Sequence, residues 1–326
     1  MTRPDRLRLA FPLLLAAPQL LWSTHAQAQN KWPNGAIRMV VPFPPGGSSD
    51  ILGRLVADKV GAILQANIFV ENKPGGTTQI GTEQVANAAP DGNTLLLAAA
   101  TSFTALPNLR KLNYSIDSFE IAGGVADYIA VMAVRKTLPI KTVREFIDYA
   151  KKNPGKLSFG SAGEASAGHI YGLTLARDTG IEVLHVPFRG SAAAVNALVA
   201  GDIDFIIDGA VTPMVKVDRV QPLAVLYRQR HPELPEIPTL KEAGFEVTTT
   251  RGSGWGVLAP KGTPAATMTL LSEAVHQVLQ QQDVKDALAR ANSIPAWQTP
   301  AEFRQNMETD RKLYAELLPA IGIRGN

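Results

Sequence analysis

The chain has no cysteine among its 326 residues. Disulfide bridges, thiolate nucleophiles and cysteine–zinc sites are therefore excluded. A lipoprotein anchor is excluded as well, because it needs a cysteine at the mature N-terminus. Without covalent cross-links the chain depends on a hydrophobic core, and its 45% hydrophobic content is enough for one. At about 100–200 residues per domain, the length favours two domains.

The chain also lacks a strong excess of either charge. Its 32 basic and 29 acidic residues give a net charge of +3. Residues 1–28 carry three arginines and one aspartate, which leaves a net charge of +1 on the rest. A nearly neutral protein with scattered charges has no basic stripe for nucleic acid, so we expect no nucleic-acid partner.

Long apolar runs are absent beyond the N-terminal region, where 9–22 forms an apolar segment. Arg3, Arg6 and Arg8 precede it, and Ala26-Gln27-Ala28 supplies small residues at the positions that signal peptidase reads. A membrane anchor is the alternative, but this segment is too short to span a bilayer comfortably. We therefore expect a signal peptide at 1–28, cleavage near Ala28 and a soluble periplasmic protein.

The remainder of the chain alternates between strand and helix patterns, which predicts an α/β fold with doubly wound sheets. In such sheets, ligands bind beyond the carboxyl ends of the strands. The polar loops at 42–50, 101–104 and 161–166 occupy that position, and none of them contains an arginine, lysine or histidine. The predicted strands are 37–41, 68–70, 94–99, 128–134, 156–160, 182–186, 203–207 and 253–258, and the predicted helices include 77–88, 142–152, 166–178, 191–200, 264–281 and 300–318.

The first of these loops has the features of an anion site. Gly46, Gly47, Ser48 and Ser49 lie between an apolar strand and an amphipathic helix, so free N–H groups of the helix's first turn can bind a carboxylate or phosphate. The alternative is a turn that only connects the two elements. Neither a Gly-Lys-Ser/Thr phosphate loop nor a Gly-x-Gly-x-x-Gly pattern is present. Asp50 would cap the helix or orient Ser48.

The other two loops offer hydroxyl and main-chain groups. Thr101 and Ser102 follow the strand at 94–99, and Ser161, Ala162 and Ser166 follow the strand at 156–160. Ser166 also fits the role of a helix N-cap. The serine-hydrolase motif Gly-x-Ser-x-Gly does not occur here, so nucleophilic catalysis is disfavoured. Glu164 is either a solvated charge or a partner for a ligand nitrogen.

Metal and cofactor sites are not expected. Asp202, Asp204 and Asp208 share one face of a predicted strand, but their spacing fits no known metal loop. Of the three, Asp208 lies at the carboxyl end and is the expected ligand contact. The histidines show no paired zinc motif. Phe43 and Trp255 are candidates for an apolar wall of the ligand-binding cleft that these loops would form.

A series of motifs resembles one family throughout nearly the whole mature chain. The motifs are Val41-Pro42-Phe43-Pro44-Pro45-Gly46-Gly47-Ser48-Ser49-Asp50, Val70-Glu71-Asn72-Lys73-Pro74-Gly75-Gly76, Ala89-Pro90-Asp91-Gly92, Gly160-Ser161-Ala162-Gly163, His185-Val186-Pro187-Phe188-Arg189-Gly190-Ser191, Gly201-Asp202-Ile203-Asp204 and Leu258-Ala259-Pro260-Lys261-Gly262-Thr263-Pro264. Each motif alone is weak, but their fixed order is specific. Through these motifs the chain is similar to Bug-type substrate-binding receptors of tripartite tricarboxylate transporters.

This resemblance implies a type II periplasmic-binding-protein fold with two α/β lobes, expected at 29–130 plus 252–326 and at 131–251. It also implies a small carboxylate ligand, gripped by backbone groups of the loops at 46–50 and 161–166. The implied partner is the membrane permease of such a transporter, and we expect a monomer. The chain departs from the family pattern at Glu164-Ala165-Ser166 and at Asp208-Gly209, which leaves the identity of the ligand open.

The resulting hypothesis is a solute receptor that performs no chemistry. Its predicted ligand-binding residues are Phe43, Gly46, Gly47, Ser48, Ser49, Asp50, Thr101, Ser102, Ser161, Ala162, Ser166 and Asp208. An exported α/β enzyme, such as a hydrolase or isomerase, is an alternative, but it would need a nucleophile–base pair or a metal cluster. A receptor for a membrane sensor is a further alternative that the sequence does not separate from the first.

Overall fold

The computed structural model describes residues 32–246 and 254–323, so the predicted signal peptide at 1–28 lies outside the described residues. Eleven strands and ten α-helices alternate along these ranges. The strands are β1 (Ile37–Val41), β2 (Ile68–Asn72), β3 (Thr94–Ala99), β4 (Phe119–Tyr128), β5 (Ala130–Arg135), β6 (Leu157–Ser161), β7 (Val183–Pro187), β8 (Phe205–Ile207), β9 (Val220–Leu226), β10 (Trp255–Pro260) and β11 (Ser293–Gln298). The helices are α1 (Ser48–Leu64), α2 (Gln79–Ala86), α3 (Thr101–Thr104), α4 (Val143–Lys152), α5 (Ala167–Thr179), α6 (Ser191–Ala200), α7 (Thr212–Lys216), α8 (Ala265–Gln280), α9 (Gln282–Arg290) and α10 (Pro300–Ala320).

The first sheet has six strands in the order β11-β4-β10-β3-β1-β2. Strand β1 pairs in parallel with β2 and β3, whereas β10 and β11 add antiparallel neighbours. Apolar residues of α1 and α8 cover one face, and residues of α2 and α10 cover the other. Strand β3 is buried along its whole length, as expected for a central strand with helices on both faces.

The second sheet has five strands in the order β7-β6-β8-β5-β9. Helices α4 and α5 pack on one face, and α6 and α7 pack on the other. Thr142 caps the start of α4, because its hydroxyl accepts a hydrogen bond from the Glu145 N–H at 3.1 Å. The predicted α/β class with two helix-covered sheets is therefore confirmed.

The chain passes between the sheets at Ile129, which separates β4 of the first sheet from β5 of the second. The strand predicted at 128–134 corresponds to β5, but its predicted start was wrong, because Tyr128 belongs to β4. The chain returns between Leu226 and Trp255, and residues 247–253 of that connection lie outside the described residues. The first sheet thus uses chain from before Ile129 and after residue 254, and the second uses the chain between.

Several helix starts and strands differ from the sequence-based expectation. Helix α2 begins at Gln79 rather than at Thr77, because Thr77 and Thr78 have positive φ angles of 51° and 78°. Residues 101–104 form a short helix instead of a loop. Strands β9 and β11 and helix α9 were not predicted. Within the described ranges, no helix has the length and apolar character needed to cross a bilayer.

Candidate functional site

A cavity, which we call the inner cavity, lies where residues of both sheets meet. The structure brings together seven of the twelve predicted site residues along its wall. These are Phe43, Ser48, Ser49, Thr101, Ala162, Ser166 and Asp208. The wall is completed by Trp255, already considered as an apolar wall, and by Ala99, Ala100, Tyr128, Ala167, Gly168 and Ser191, which the sequence analysis did not select.

Residues 42–47, the first cleft loop, connect β1 to α1. Gly47 is the N-cap of α1 and provides no side-chain cap. The Ser48 hydroxyl is buried and has no hydrogen-bond partner in the part of the chain that the structure describes. A buried unpaired hydroxyl is costly, so a ligand that bonds to it would gain a matched contact. The first turn of α1 therefore offers free polar capacity at the inner cavity.

Asp50 shapes the first cleft loop from behind and does not line the inner cavity. Its carboxylate accepts hydrogen bonds from the Gly46 N–H at 3.0 Å, from Asn72 Nδ2 at 3.0 Å and from Arg54. Burial alone would raise the pKa of Asp50, but these bonds outweigh it and lower that pKa. Gly46 and Gly47 also lie outside the cavity wall.

Phe43 and Trp255 form the apolar part of the wall. Their rings contact edge to face with a centroid separation of 5.7 Å. The Phe43 carbonyl accepts a hydrogen bond from Asn72 Nδ2 at 3.1 Å, which fixes the position of the first cleft loop. Among the described residues, the buried indole Nε1 of Trp255 has no hydrogen-bond partner. This corner thus combines apolar surface with one unpaired donor.

Residues 162–166, the second cleft loop, connect β6 to α5. Ser166 is the N-cap of α5, as predicted, and its hydroxyl also donates to the Gly163 carbonyl at 2.7 Å. Ser161 is fully buried outside the cavity wall, and its Oγ lies 2.7 Å from His185 Nε2. The Ser161 side chain therefore supports the loop, whereas Ala162 and Ser166 face the cavity.

Two stacked histidines contact the second cleft loop and the end of the strand before it. The rings of His169 and His185 lie 3.7 Å apart at an angle of 13°. Burial and then the neighbouring His185 lower the pKa of His169 to about 3, and burial lowers the pKa of His185 to about 4. Neutral His169 can therefore accept, through Nδ1, the hydrogen bond that the Ala165 N–H donates at 3.1 Å.

Asp208 lies at the carboxyl end of β8 and is almost fully buried. Its Oδ1 accepts a hydrogen bond from the Tyr128 hydroxyl at 2.5 Å, and its Oδ2 accepts one from the Ser191 hydroxyl at 2.7 Å. Burial raises the pKa of Asp208, and the donors oppose that increase. Gly190 is the N-cap of α6, and the Ser191 hydroxyl donates to Asp208.

The remaining candidates have other partners. Ser102 Oγ lies 2.8 Å from Thr78 Oγ1 in a buried contact, and Ser102 does not line the cavity. Glu164 is exposed and lies 4.0 Å from Arg110. Asp204 bonds to Arg135 and Ser158, away from Asp208. Among the described residues, no three histidine, aspartate or glutamate side chains converge as metal ligands would.

A wider space, which we call the outer groove, adjoins the inner cavity. Both are lined by Phe43, Thr101, Ala162 and Ser166. The residues of the outer groove also include 74–78 and 188–190, with Arg189 as its single cation among the described lining residues. The outer groove and the inner cavity therefore share part of one wall.

Tyr128 and Ser191 line the inner cavity but were not predicted as site residues, although the sequence contains a pattern that could have indicated each of them. Ser191 follows Gly190 after β7, which repeats the strand–glycine–serine–helix order of the first cleft loop. Tyr128 is the last residue of β4, whereas the predicted strand at 128–134 grouped Tyr128 with the residues of β5. Recognising the passage between sheets at Ile129 would have placed Tyr128 at the cleft.

Known proteins resemble the chain in sequence and in fold. A family model described as the tripartite tricarboxylate transporter family receptor matches residues 52–314. The UPF0065 protein in the tcbD-tcbE intergenic region of Pseudomonas sp. (strain P51) is 33% identical over 312 residues, which cover 93% of this chain and 91% of that protein.

Solved structures give the same picture. The periplasmic binding protein BugD is 31% identical, with a TM-score of 0.81 over 90% of this chain and 100% of that one. An R. palustris protein solved with adipate is 28% identical, with a TM-score of 0.85 over 90% of this chain and 100% of that one. MatC from Rhodopseudomonas palustris, solved with bound malate, is 28% identical, with a TM-score of 0.78 over 88% of this chain and 100% of that one.

Proposed function

The chain belongs to the tripartite tricarboxylate transporter receptor family, and from this membership we propose that it binds a small carboxylate between two lobes and delivers it to the membrane permease of such a transporter. Members of this family are periplasmic solute-binding receptors and not enzymes. The proposal extends to export through a signal peptide at 1–28, cleaved near Ala28, and to a monomeric receptor.

The observation that carries this proposal is the composition of the inner cavity. The described residues of its wall contribute hydroxyls, main-chain groups and the start of α1, but no cationic side chain. A carboxylate held there would accept hydrogen bonds from the Ser48 hydroxyl and from N–H groups of the first turn of α1. Thr101, Ser49 and Ser166 line the same space. Two neighbours, solved with adipate and with malate, also favour a carboxylate.

The contacts between the two halves support a closed receptor. The carbon that an alanine would add at Gly190 lies 3.2 Å from Pro44 Cγ, so the first cleft loop touches the turn before α6. Ala165 and Ile170 also pack with Leu317 and Leu318 of α10 in one apolar cluster. We propose lobes at 29–130 plus 252–326 and at 131–251, with the ligand stabilising their closed arrangement by contacting both.

Thermal unfolding of the purified protein with a panel of organic acids tests the proposal. A ligand present at 100 times its Kd adds about 2.7 kcal/mol to the stability, so a true ligand raises Tm clearly. Replacing Ser48 by alanine removes one hydrogen bond to a charged group and weakens binding about tenfold. Ser272→Ala, on α8 outside the cavity wall, is the matched control and retains the affinity.

Failure of every acid to raise Tm, together with turnover of a substrate by the same preparation, would contradict the proposal. Delivery to a permease is tested separately, by capturing the ligand-loaded protein on membranes that contain the transporter. Capture of a sensor protein instead would leave the ligand proposal intact and replace the proposed partner.

A further inference from the structure

The polar side chains around Asp208 are already bonded to one another. Oδ1 of Asp208 accepts from the Tyr128 hydroxyl at 2.5 Å and from the Ala210 N–H at 2.9 Å, and Oδ2 accepts from the Ser191 hydroxyl at 2.7 Å. The Tyr128 oxygen in turn accepts from the Gly209 N–H at 2.5 Å. Because an ionised carboxylate only accepts, it uses the hydroxyl hydrogens of both Tyr128 and Ser191.

The capacity that remains for a ligand is therefore that of an acceptor. A hydroxyl oxygen has two lone pairs besides its hydrogen. Within the described part of the chain, Ser191 Oγ has no hydrogen bond besides the one it donates to Asp208. Ser191 is only partly buried and lines the inner cavity. A ligand atom that meets Ser191 Oγ is matched only if it carries a hydrogen to donate.

The negative charge of Asp208 at this part of the inner cavity also favours a ligand group that donates a hydrogen bond. Asp208 is 3% exposed, and no cation stands beside it in the described wall of the inner cavity. The first turn of α5 is close, because a carbon added at Gly168 would lie 3.9 Å from Asp208 Oδ2. The positive end of that helix therefore stabilises Asp208 itself. A second anion placed here would meet the buried charge of Asp208 at short range and low dielectric.

We infer that Asp208, Tyr128 and Ser191 form a specificity subsite for a hydrogen-bond donor, so that the ligand is a carboxylate whose far end carries a hydroxyl, amide or ammonium group rather than a second carboxylate. Ser191 Oγ accepts a hydrogen bond from the donor group of the ligand. Asp208 acts as the positioning residue, because it accepts the Ser191 hydrogen and so keeps that hydrogen directed away from the ligand. The inference rests on the proposed function, because the carboxylate of the same ligand occupies the start of α1.

A matched series of straight-chain acids tests it. Calorimetric titration at pH 7 compares butyrate, succinate, 4-hydroxybutyrate and 4-aminobutyrate, and then hexanoate, adipate, 6-hydroxyhexanoate and 6-aminohexanoate. At the chain length that binds best, we expect the hydroxy or amino acid to have a Kd at least tenfold lower than the diacid. The simple monoacid should fall between them, since it neither donates to Ser191 nor brings a second charge.

Three variants sharpen the comparison. Asp208→Asn removes the charge and frees the Ser191 hydrogen, so the diacid should gain at least tenfold relative to the hydroxy acid. Ser191→Ala removes the acceptor, so the hydroxy acid should lose its advantage over the monoacid while the diacid changes little. Asp283→Asn is the control, because this exposed carboxylate pairs with Lys59 on the surface.

The possible outcomes distinguish a failure of the donor subsite from a failure of carboxylate binding. A diacid that binds wild-type protein more tightly than its hydroxy and amino analogues overturns this inference and leaves the proposed function standing. It would mean that a protonated Asp208 releases the Ser191 hydrogen to the ligand. Binding of no acid in either series overturns both. If Asp208→Asn does not fold, the wild-type ranking and Ser191→Ala still decide the matter.

Discussion

At the scale of single residues, the structure distinguishes side chains that contact the cavity from those that hold its loops. Asp50 and Ser161 were predicted to bind ligand, but each has its polar atoms engaged behind a cleft loop. Ser48 is the reverse case, with a buried hydroxyl that lacks a partner. Sequence alone does not separate these roles, because the same residue types cap helices and bind anions.

Glu164 provides the first prediction. It is exposed and 4.0 Å from Arg110, and surface ion pairs of this kind contribute at most about 1 kcal/mol. Glu164→Gln should therefore leave the affinity for every tested acid within about twofold and Tm nearly unchanged. Isothermal titration with the best ligand provides the measurement. A loss of tenfold or more for an amino acid alone would show instead that Glu164 pairs with the ligand nitrogen.

The stacked histidines lead to a prediction about pH. Both folded-state pKa values, about 3 for His169 and about 4 for His185, lie below the ordinary value of 6.5. The unfolded chain therefore binds protons first, so stability is full above about pH 6.5 and is lost as pH falls toward 4. Denaturant unfolding should show a loss of about 1 kcal/mol per pH unit from His169 in that range.

The matched variant is His169→Gln, which removes this titration and should flatten the pH dependence between 6.5 and 4. It should also lower stability at pH 7, since the Ala165 N–H loses its imidazole acceptor. His276→Gln serves as a control outside the stacked pair, because His276 packs on Trp297. An unchanged slope in His169→Gln would assign the pH dependence to other groups.

At the scale of elements, the site is assembled from turns that follow strands. Gly47 is the last residue of the turn before α1, and Gly190 is the last residue of the turn before α6. The first residue of α6, Ser191, donates a hydrogen bond to Asp208. Gly190 has a φ angle of 107° and approaches Pro44 across the cleft. The turn before α6 thus determines how closely the two halves meet.

Gly190→Ala tests this role. The added carbon is 3.2 Å from Pro44 Cγ, so we expect incomplete closure and a Kd at least tenfold higher for the best acid. Gly201→Ala is the control, because Gly201 also has a positive φ angle, 88°, but no atom lies within 4 Å of its added carbon. Both variants should lose about 1 kcal/mol of stability from backbone strain. Equal affinities in the two would exclude a closure contact at Gly190.

The elements that the sequence predicted well are those whose periodicity is local. Strand β3 and helix α4 have uniform or strongly amphipathic patterns, and the structure places them near their predicted ranges. Strand β4 was missed because Gly123 and Gly124 weaken its strand pattern. These glycines are explained only by tertiary packing, since a side chain there would collide with Trp297 and Gln298. The site residue Tyr128 was missed with that strand.

At the scale of the whole molecule, the chain passes between the two halves twice, after β4 and after β9. Asp127 contacts both of these connections. It stands near the end of β4, and its Oδ2 accepts a hydrogen bond from the Tyr227 hydroxyl at 2.8 Å, just after β9. Its buried Oδ1 has no hydrogen-bond partner within the described ranges. Burial raises the pKa of Asp127, and the bond from Tyr227 opposes that rise. This hydrogen bond therefore ties the two crossings together at the proposed hinge.

A bond at the hinge axis changes little in length when the lobes rotate, whereas a contact at the rim is made only in the closed state. Tyr227→Phe should therefore destabilise the open and closed forms equally, by about 1–3 kcal/mol, because a buried carboxylate loses a donor. Tm should fall with and without ligand, while Kd stays within about twofold. Denaturant unfolding and titration of the same preparation measure the two effects. An altered Kd with an unchanged Tm would move the hinge away from Asp127 and place this bond among the contacts that form on closure.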